Sequence, residues 1–275
     1  MKLIYSDYEI LEQGVGMDGI NEQIELAGRT CYKSEDKITK DSAKDFVDRM
    51  IKSGHGAMLE HGTVYLICPI EEDASIFNRY YKNKYSICKN YMFNGKDSTF
   101  ITTNLRVLVD NGWLGDLKYL SEPIPNGHEK RITVKFTCDR GVSHEFVRHR
   151  VFSFAQESTR YCNYSKDKFG NELTFIVNDE LHDDENATGC DYHNLLENIE
   201  LTYLQIIKDG YTAQQARTIL PNALKTELVM TGFVSDWKEF FKLRDNSKAH
   251  PDAQALAKPL HEEFIKKGYI DGNLD

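Results

Sequence analysis

Residues 131–164 constrain the fold of this chain more than any other stretch. Ile132, Val134, Phe136 and Cys138 alternate with Thr133, Lys135 and Thr137, the period of two of a half-buried strand. RGVSHEF follows at once, and its Val142, Phe146 and, more loosely, Val147 predict the buried stripe of a short helix. Then EFVRHRVFSFAQESTRYCNY, residues 145–164, sets Arg148, His149, Arg150, Ser153, Gln156, Ser158 and Arg160 among aromatic and small residues. The Tyr/Asn/Ser-rich run after it reads as loop. A strand thus feeds a short helix, and a concentration of positive charge sits where that helix gives way to loop.

Three arginines and a histidine repel one another unless something anionic lies among them. Guanidinium forks match phosphate, and serine hydroxyls with loop N–H groups complete such a cradle. The plain alternative is pairing with surface Asp and Glu, which an acidic chain supplies in quantity. The formal charge of −9 argues against a general nucleic-acid binder, whose affinity depends on a basic surface. A small anion in a local basic pocket is the expectation.

At 275 residues, 40% hydrophobic and 28% charged, the chain can bury a large core. No apolar run approaches the roughly 20 residues that span a bilayer, and MKLIYSDYEIL lacks a signal peptide's apolar region and cleavage site. A cytoplasmic protein without membrane partners is expected, so the triplets at Asn163 and Asn186 read as chance. The six cysteines include no CxxC pair and predict reduced thiols.

Residues 2–11 predict a first strand, followed by Gly14-Val-Gly16-Met-Asp-Gly19. This spells a dinucleotide fingerprint, but the polar CYKSEDKITKDS beyond the next helix offers no second strand, so a glycine-rich turn suffices. That helix puts Ile20, Ile24, Ala27 and Cys31 on one face. Thr39 or Asp41 is placed to cap a second helix with Ala43, Phe46, Val47 and Met50, which stops at Gly54. GHGAMLEHG then leads into a strand at 64–70. His55, Glu60 and His61 lack HExxH spacing, so no metal is expected; Glu60 and His61 read as supports of the turn.

Residues 71–130 read as an insertion packed on the same domain, with a run of tyrosines (Tyr80, Tyr81, Tyr85, Tyr91) and a helix over about 103–110. Further on come a strand at 173–177, an acidic loop at 178–191 without calcium-loop spacing, and a helix at 190–209 through Leu195, Leu196, Ile199, Tyr203, Ile206 and Ile207. Thr212 caps a short helix closed by Pro221, and a strand runs over 226–233. Ser235 or Asp236 caps a helix ending in FFKLR, and Pro251 opens the last one. With no repeat or long linker, the expectation is a single domain over 1–275, of mixed α/β (α+β) class, with a twisted central sheet flanked by helices.

RHRVFSFAQESTR, with Arg148-His149-Arg150, Ser153, Ser158 and Arg160 at their fixed spacings and Tyr161 after them, resembles the signature of the flavin-dependent thymidylate synthases. ARTCYKS, the GHxxxxEH segment, the GxxxxxARxxLP pattern at Gly210–Pro221, and Arg244 twenty-seven residues after Arg217 are also similar to that family; the likeness covers roughly 20–70 and 130–265. It implies the thymidylate synthase-complementing fold and reductive methylation of dUMP to dTMP. The carbon would come from methylenetetrahydrofolate and the hydride from NADPH through FAD.

By position, the resemblance implies that Arg244 polarises the dUMP ring, while Ser158, Thr159, Arg160 and Arg217 hold dUMP. Glu145, Arg148 and Gln156 lie beside that nucleotide, and His55, Arg148, His149, Arg150 and Gln156 meet FAD. It also implies a homotetramer whose subunits share active sites. Departures are Glu145 for the usual Gln, Ala155-Gln156 for Asn-Glu, Ala57 for a hydroxyl residue, and Phe233, Ser235 and Glu239 where Asn and Arg often touch flavin. Cys162, close to the arginines in sequence, is the one candidate for a covalent route. Rival readings are another pyrimidine-nucleotide modification on the same fold, a non-catalytic nucleotide or flavin binder, and an RNA binder, which the charge disfavours.

Overall fold

The computed structural model describes residues 1–177, 187–272 and 274. The stretch 178–186, which carries most of the expected acidic loop and Asn186 itself, lies outside the described residues. The class is mixed α/β, as expected, but the strands divide among three sheets instead of one. The predicted first strand splits into β1 (Lys2–Ile4) and β2 (Asp7–Leu11), which join different sheets.

The sheet that carries the site has four strands, all antiparallel, in the order β2, β6 (Arg131–Asp139), β9 (Lys225–Phe233) and β7 (Ser153–Gln156). β6 pairs with β9 along its whole length, from Arg131 opposite Phe233 to Asp139 opposite Lys225. The alternation read from sequence holds: Val134, Phe136 and Cys138 are fully buried on one face with Leu228 and Met230 of β9. That face is covered by α6 (Arg140–Phe146), α9 (Val234–Arg244) and α10 (Pro251–Lys266) through Phe146, Trp237, Phe240, Phe241, Leu260 and Phe264. The Trp237 indole N–H donates to the Ile132 carbonyl at 3.1 Å, so this large side chain is buried without an unsatisfied donor.

The opposite face meets α1 (Gly16–Tyr32), where Ala27 packs on Ala155 and Val229. The glycines at the start of α1 serve close packing: a Cβ on Gly19 would lie 2.0 Å from the Gly14 carbonyl. β2 pairs antiparallel with β6, and α1 runs toward α2 (Ser42–Lys52) with no strand between them, so the βαβ unit of a dinucleotide site is not formed.

β3 (Thr63–Pro69), β5 (Lys96–Asn104) and β4 (Ile87–Phe93) form a second sheet, with α4 (Ile76–Tyr81) and α5 (Leu105–Asn111) beside it. Its core includes Ile20 and Ile24 of α1 and Phe46 of α2. The helix expected over about 103–110 is α5, which starts two residues later because Thr103 and Asn104 still belong to β5; Asn104 turns the chain into α5 by accepting from the Val107 N–H. In the tyrosine run, Tyr80 is buried and donates to Asp116, while Tyr81, Tyr85 and Tyr91 are exposed.

Other expectations are corrected in detail. Neither Thr39 nor Asp41 caps α2 through its side chain; the Ser42 hydroxyl accepts from the Thr39 N–H. Phe233, not Ser235, is the N-cap of α9, and the Asp236 carboxylate three residues on accepts its N–H. On α7 (Ala187–Lys208), Leu196 and Tyr203 are buried but Leu195 faces solvent.

Candidate active site

Asp139 closes β6 and caps α6 by accepting from the Val142 N–H at 2.8 Å. α6 lasts only to Phe146, because Arg148 to Phe152 turn back to form β7. That return, hidden in a polar stretch of sequence, puts the cationic segment between α6, α9 and the edge of the four-stranded sheet. Two clusters of predicted site residues result.

The first joins α6 to the end of α9. Arg244 donates from Nε to His149 Nε2 at 2.9 Å, from Nη1 to Glu145 Oε2 at 2.9 Å, and from Nη2 to the Glu145 carbonyl at 2.6 Å. Arg148 lies on the same carboxylate, with Nη1 3.0 Å from Oε1. The Arg244 side chain is only 13% exposed and that of Arg148 is 69% exposed, so the first is enclosed and the second stands in solvent. The hydrogen bond from Arg244, more than burial opposes, holds the Glu145 carboxyl below its ordinary range, helped by Arg148. Burial and then the Arg244 charge push His149 down to about 4. The imidazole is therefore neutral and accepts from Arg244, with its ring against Phe240. Glu145, where Gln is usual, thus serves as counter-ion to two arginines.

The second cluster lies past β7. Arg217, at the end of α8 (Ala213–Ala216), reaches Thr159 Oγ1 at 3.5 Å, and Arg160 Nε donates to Gln214 Oε1 at 3.2 Å. Arg160 and Arg217 are exposed and have no carboxylate partner among the described residues, unlike Arg29, Arg79 and Arg106. Two neighbouring guanidiniums without counter-ions suit a dianionic phosphate. Gln156 lies between, donating to Ser143 Oγ on α6 and Thr226 Oγ1 on β9. Among the described residues no hydrogen bond or ion pair joins the two clusters within one chain.

Sequence reasoning missed what fixes the Ser158 segment. Glu157, 3% exposed, accepts from Lys225 at 2.9 Å and from the Tyr164 hydroxyl at 3.0 Å; Lys225 also bridges to Glu227, and Glu227 to Lys33. Burial opposes ionisation of Glu227, yet the two lysines hold it down to about 2. The Ser158 N–H donates to the Cys31 carbonyl on α1. Breaking such a buried pair costs roughly 3–5 kcal/mol. No sequence signal announces it, because Lys33 and Glu227 lie 194 residues apart.

The remaining predicted residues lie elsewhere. Arg150 is exposed and lines a cavity of about 400 Å³ with Val151, Phe152, Ser153 and Phe233. His55 opens onto a different groove, with Tyr32, Phe46 and Arg49. Glu60 pairs with Arg106, and buried His61 bonds through Nδ1 to Thr231 Oγ1 at 2.8 Å, so both do support their turn. Cys162 is 1% exposed, and burial, then Glu157, push its thiol up to about 12.

The profile of the family described as Thymidylate synthase complementing protein matches residues 127–267, just over half of the chain. Flavin-dependent thymidylate synthase from Pyrococcus furiosus is 31% identical over 159 residues, covering 56% of this chain and 64% of that protein. The Mycobacterium avium enzyme of the same name is 23% identical over 256 residues, covering 87% and 73%. The chain spans just under two thirds of the length of the Pyrococcus relative. Among solved structures, a UMP/dUMP methylase, PolB from Streptomyces cacaoi bound with 5-Br dUMP, aligns over 97% of this chain and 93% of its own at 15% identity and a TM-score of 0.47. The matched residues 127–267 take in β6, α6, β7, β9, α9 and both arginine clusters, and by that match the chain belongs to the thymidylate synthase complementing protein family.

Proposed function

We propose that the protein reductively methylates dUMP to dTMP, with methylenetetrahydrofolate as carbon donor and NADPH as hydride source through FAD, in thymidylate biosynthesis. The observation that carries this reading is the held guanidinium of Arg244 in a chain of this family. Three of its five N–H donors go to Glu145 and His149 and fix the plane of the group, which leaves two for a ligand. Donors aimed at a pyrimidine oxygen stabilise the ring with its N3 proton removed and raise electron density at the carbon to be methylated. Arg148, exposed on the same carboxylate, would meet the nucleotide as it enters. Ser158, Thr159, Arg160 and Arg217 would take the phosphate, with Gln156 at the sugar side.

The donor set fits a flavin. Arg150 has no carboxylate partner among the described residues and lines a cavity with apolar walls, and the neutral imidazole of His149 lies one residue away. Arg148, His149, Arg150, Gln156 and, from a neighbouring subunit, His55 would hold FAD, which supplies the hydride when bound. The separation of the two clusters and of His55 within one chain supports a homotetramer with shared sites. The second sheet shares its core with α1 and α2, which supports one domain over 1–275 with residues 71–130 inserted. No described helix is long and apolar enough to cross a membrane, consistent with a cytoplasmic enzyme.

Cys162 has no part in this chemistry. With its thiol buried and protonated at neutral pH, Cys162→Ala is expected to keep turnover within about twofold, measured as dTMP formed per minute; a folded but inactive variant would restore a covalent route. The function itself is tested by the visible spectrum of the purified protein with FAD, NADPH and dUMP. Bleaching of bound flavin by NADPH, faster with dUMP, and dTMP as product are expected. A protein that takes up no flavin overturns the reading.

A further inference from the structure

The cavity beside Arg150 holds more positive charge than the family resemblance assigns to it. It is lined by Arg131, Arg150 and Lys84, with Tyr85, Val151, Phe152 and Phe233 as apolar walls and Glu60 and Asp236 as its acids. Glu60 is already paired with Arg106, and Asp236 accepts the N-cap N–H of α9. No carboxylate lies within ion-pair distance of Arg131, Arg150 or Lys84 among the described residues, although Asp and Glu outnumber Lys and Arg by 43 to 34 in the sequence.

Arg131 is the least expected of the three. It is 9% exposed and opens β6, where its guanidinium donates to the Glu60 carbonyl at 3.0 Å, faces Ser153 Oγ and Thr63 Oγ1 at 3.4 Å, and lies over the Phe233 ring. A buried guanidinium answered only by neutral oxygens is costly unless an anion completes its shell. Lys84 and Tyr85 come from the turn between α4 and β4, which is fastened to the end of β5: Ser86 Oγ lies 2.8 Å from Thr103 Oγ1, next to Asn104 of the cavity wall. The Lys84 ammonium lies over the Tyr85 ring.

We propose that this cavity binds the nucleotide half of FAD, its pyrophosphate among Arg150, Arg131 and Lys84 and its adenine against Tyr85 and Phe233. The assignment rests on the flavin reading above. A volume of about 400 Å³ suits that half of the molecule. It also gives the turn at 82–86 a purpose: it supplies a cation and an aromatic ring beside Phe233 and Ser235, where family members often place amide and guanidinium side chains.

The test is equilibrium binding of FAD, FMN and riboflavin, followed by flavin fluorescence, to the full chain and to Lys84→Glu and Tyr85→Ala. Both side chains are exposed, so folding is undisturbed. The unaltered protein is expected to prefer FAD to FMN. Lys84→Glu should weaken FAD about tenfold or more, a change of ~1.4 kcal/mol, with FMN altered less than twofold. Tyr85→Ala should act in the same direction. Unchanged FAD binding in both variants overturns the proposal and leaves the flavin reading intact, and equal loss of FAD and FMN overturns the assignment to the nucleotide half. If the unaltered protein binds none of the three, the flavin reading falls and this assignment with it.

Discussion

Arg244→Ala is expected to lower dTMP formation by roughly 10²–10³-fold or more, while the fold and flavin uptake persist. The guanidinium is the one group in the first cluster that is both fixed and cationic: three hydrogen bonds to Glu145 and His149 orient it. Removing it takes away the positive charge that would meet the ring oxygen, and it leaves the Glu145 carboxylate, now answered only by exposed Arg148, facing a ring that would itself become anionic. Lysine is no substitute, since a single ammonium cannot hold both partners and also donate to substrate. The structural cost is smaller. Lost hydrogen bonds to charged groups cost about 1.5–3 kcal/mol, against the 5–15 kcal/mol by which domains are ordinarily stable. Turnover, the bound-flavin spectrum and a thermal melt on the same preparation separate the two effects. Turnover near that of the unaltered protein would remove Arg244 from the chemistry.

The parts of this fold legible in sequence are those whose cause is local. β6 and β9 were readable because long antiparallel strands with one face on a core must alternate, and α6 because Val142 and Phe146 fall one turn apart. β7 was not: SFAQ is four residues in a run that mixes charged, aromatic and small residues without a clear period, and it is a strand only because Met230 and Val229 of β9 lie opposite Phe154 and Ala155. The splitting of residues 2–11 into two sheets likewise depends on partners far along the chain, since β1 pairs near residue 175 and β2 with β6. In the site, the arginines stood out by type and spacing, but their roles came from family resemblance. Which of them lack counter-ions among the described residues required the structure: Arg244 and Arg148 share a carboxylate, Arg160 and Arg217 share none there. The chain of Lys33, Glu227, Lys225 and Glu157 under Ser158 was invisible, since nothing local distinguishes these residues from solvated surface charge.

Arg217→Ala is expected to weaken dUMP binding by roughly 10–100-fold, about 1.4–2.8 kcal/mol, and to leave turnover at saturating dUMP within a few-fold. The prediction follows from the poverty of the contacts Arg217 makes in the free protein. Its closest partner is a neutral hydroxyl at 3.5 Å, a marginal hydrogen bond, and the side chain is exposed. Such a residue contributes little to stability, so its removal should leave the melting temperature unchanged. Its value is realised only when an anion arrives between it and Arg160, where a charge-assisted, bidentate contact forms. Because that contact is made equally in the ground state and the transition state, the loss belongs in KM and not in kcat. Deoxyuridine, which lacks the phosphate, provides the internal control: its weak binding should be indifferent to the substitution. Arg160→Ala should behave alike, and the double variant should lose less than the sum of the two, since both act on one phosphate. An unchanged KM for dUMP, or an equal loss for deoxyuridine, would move the phosphate away from this cluster.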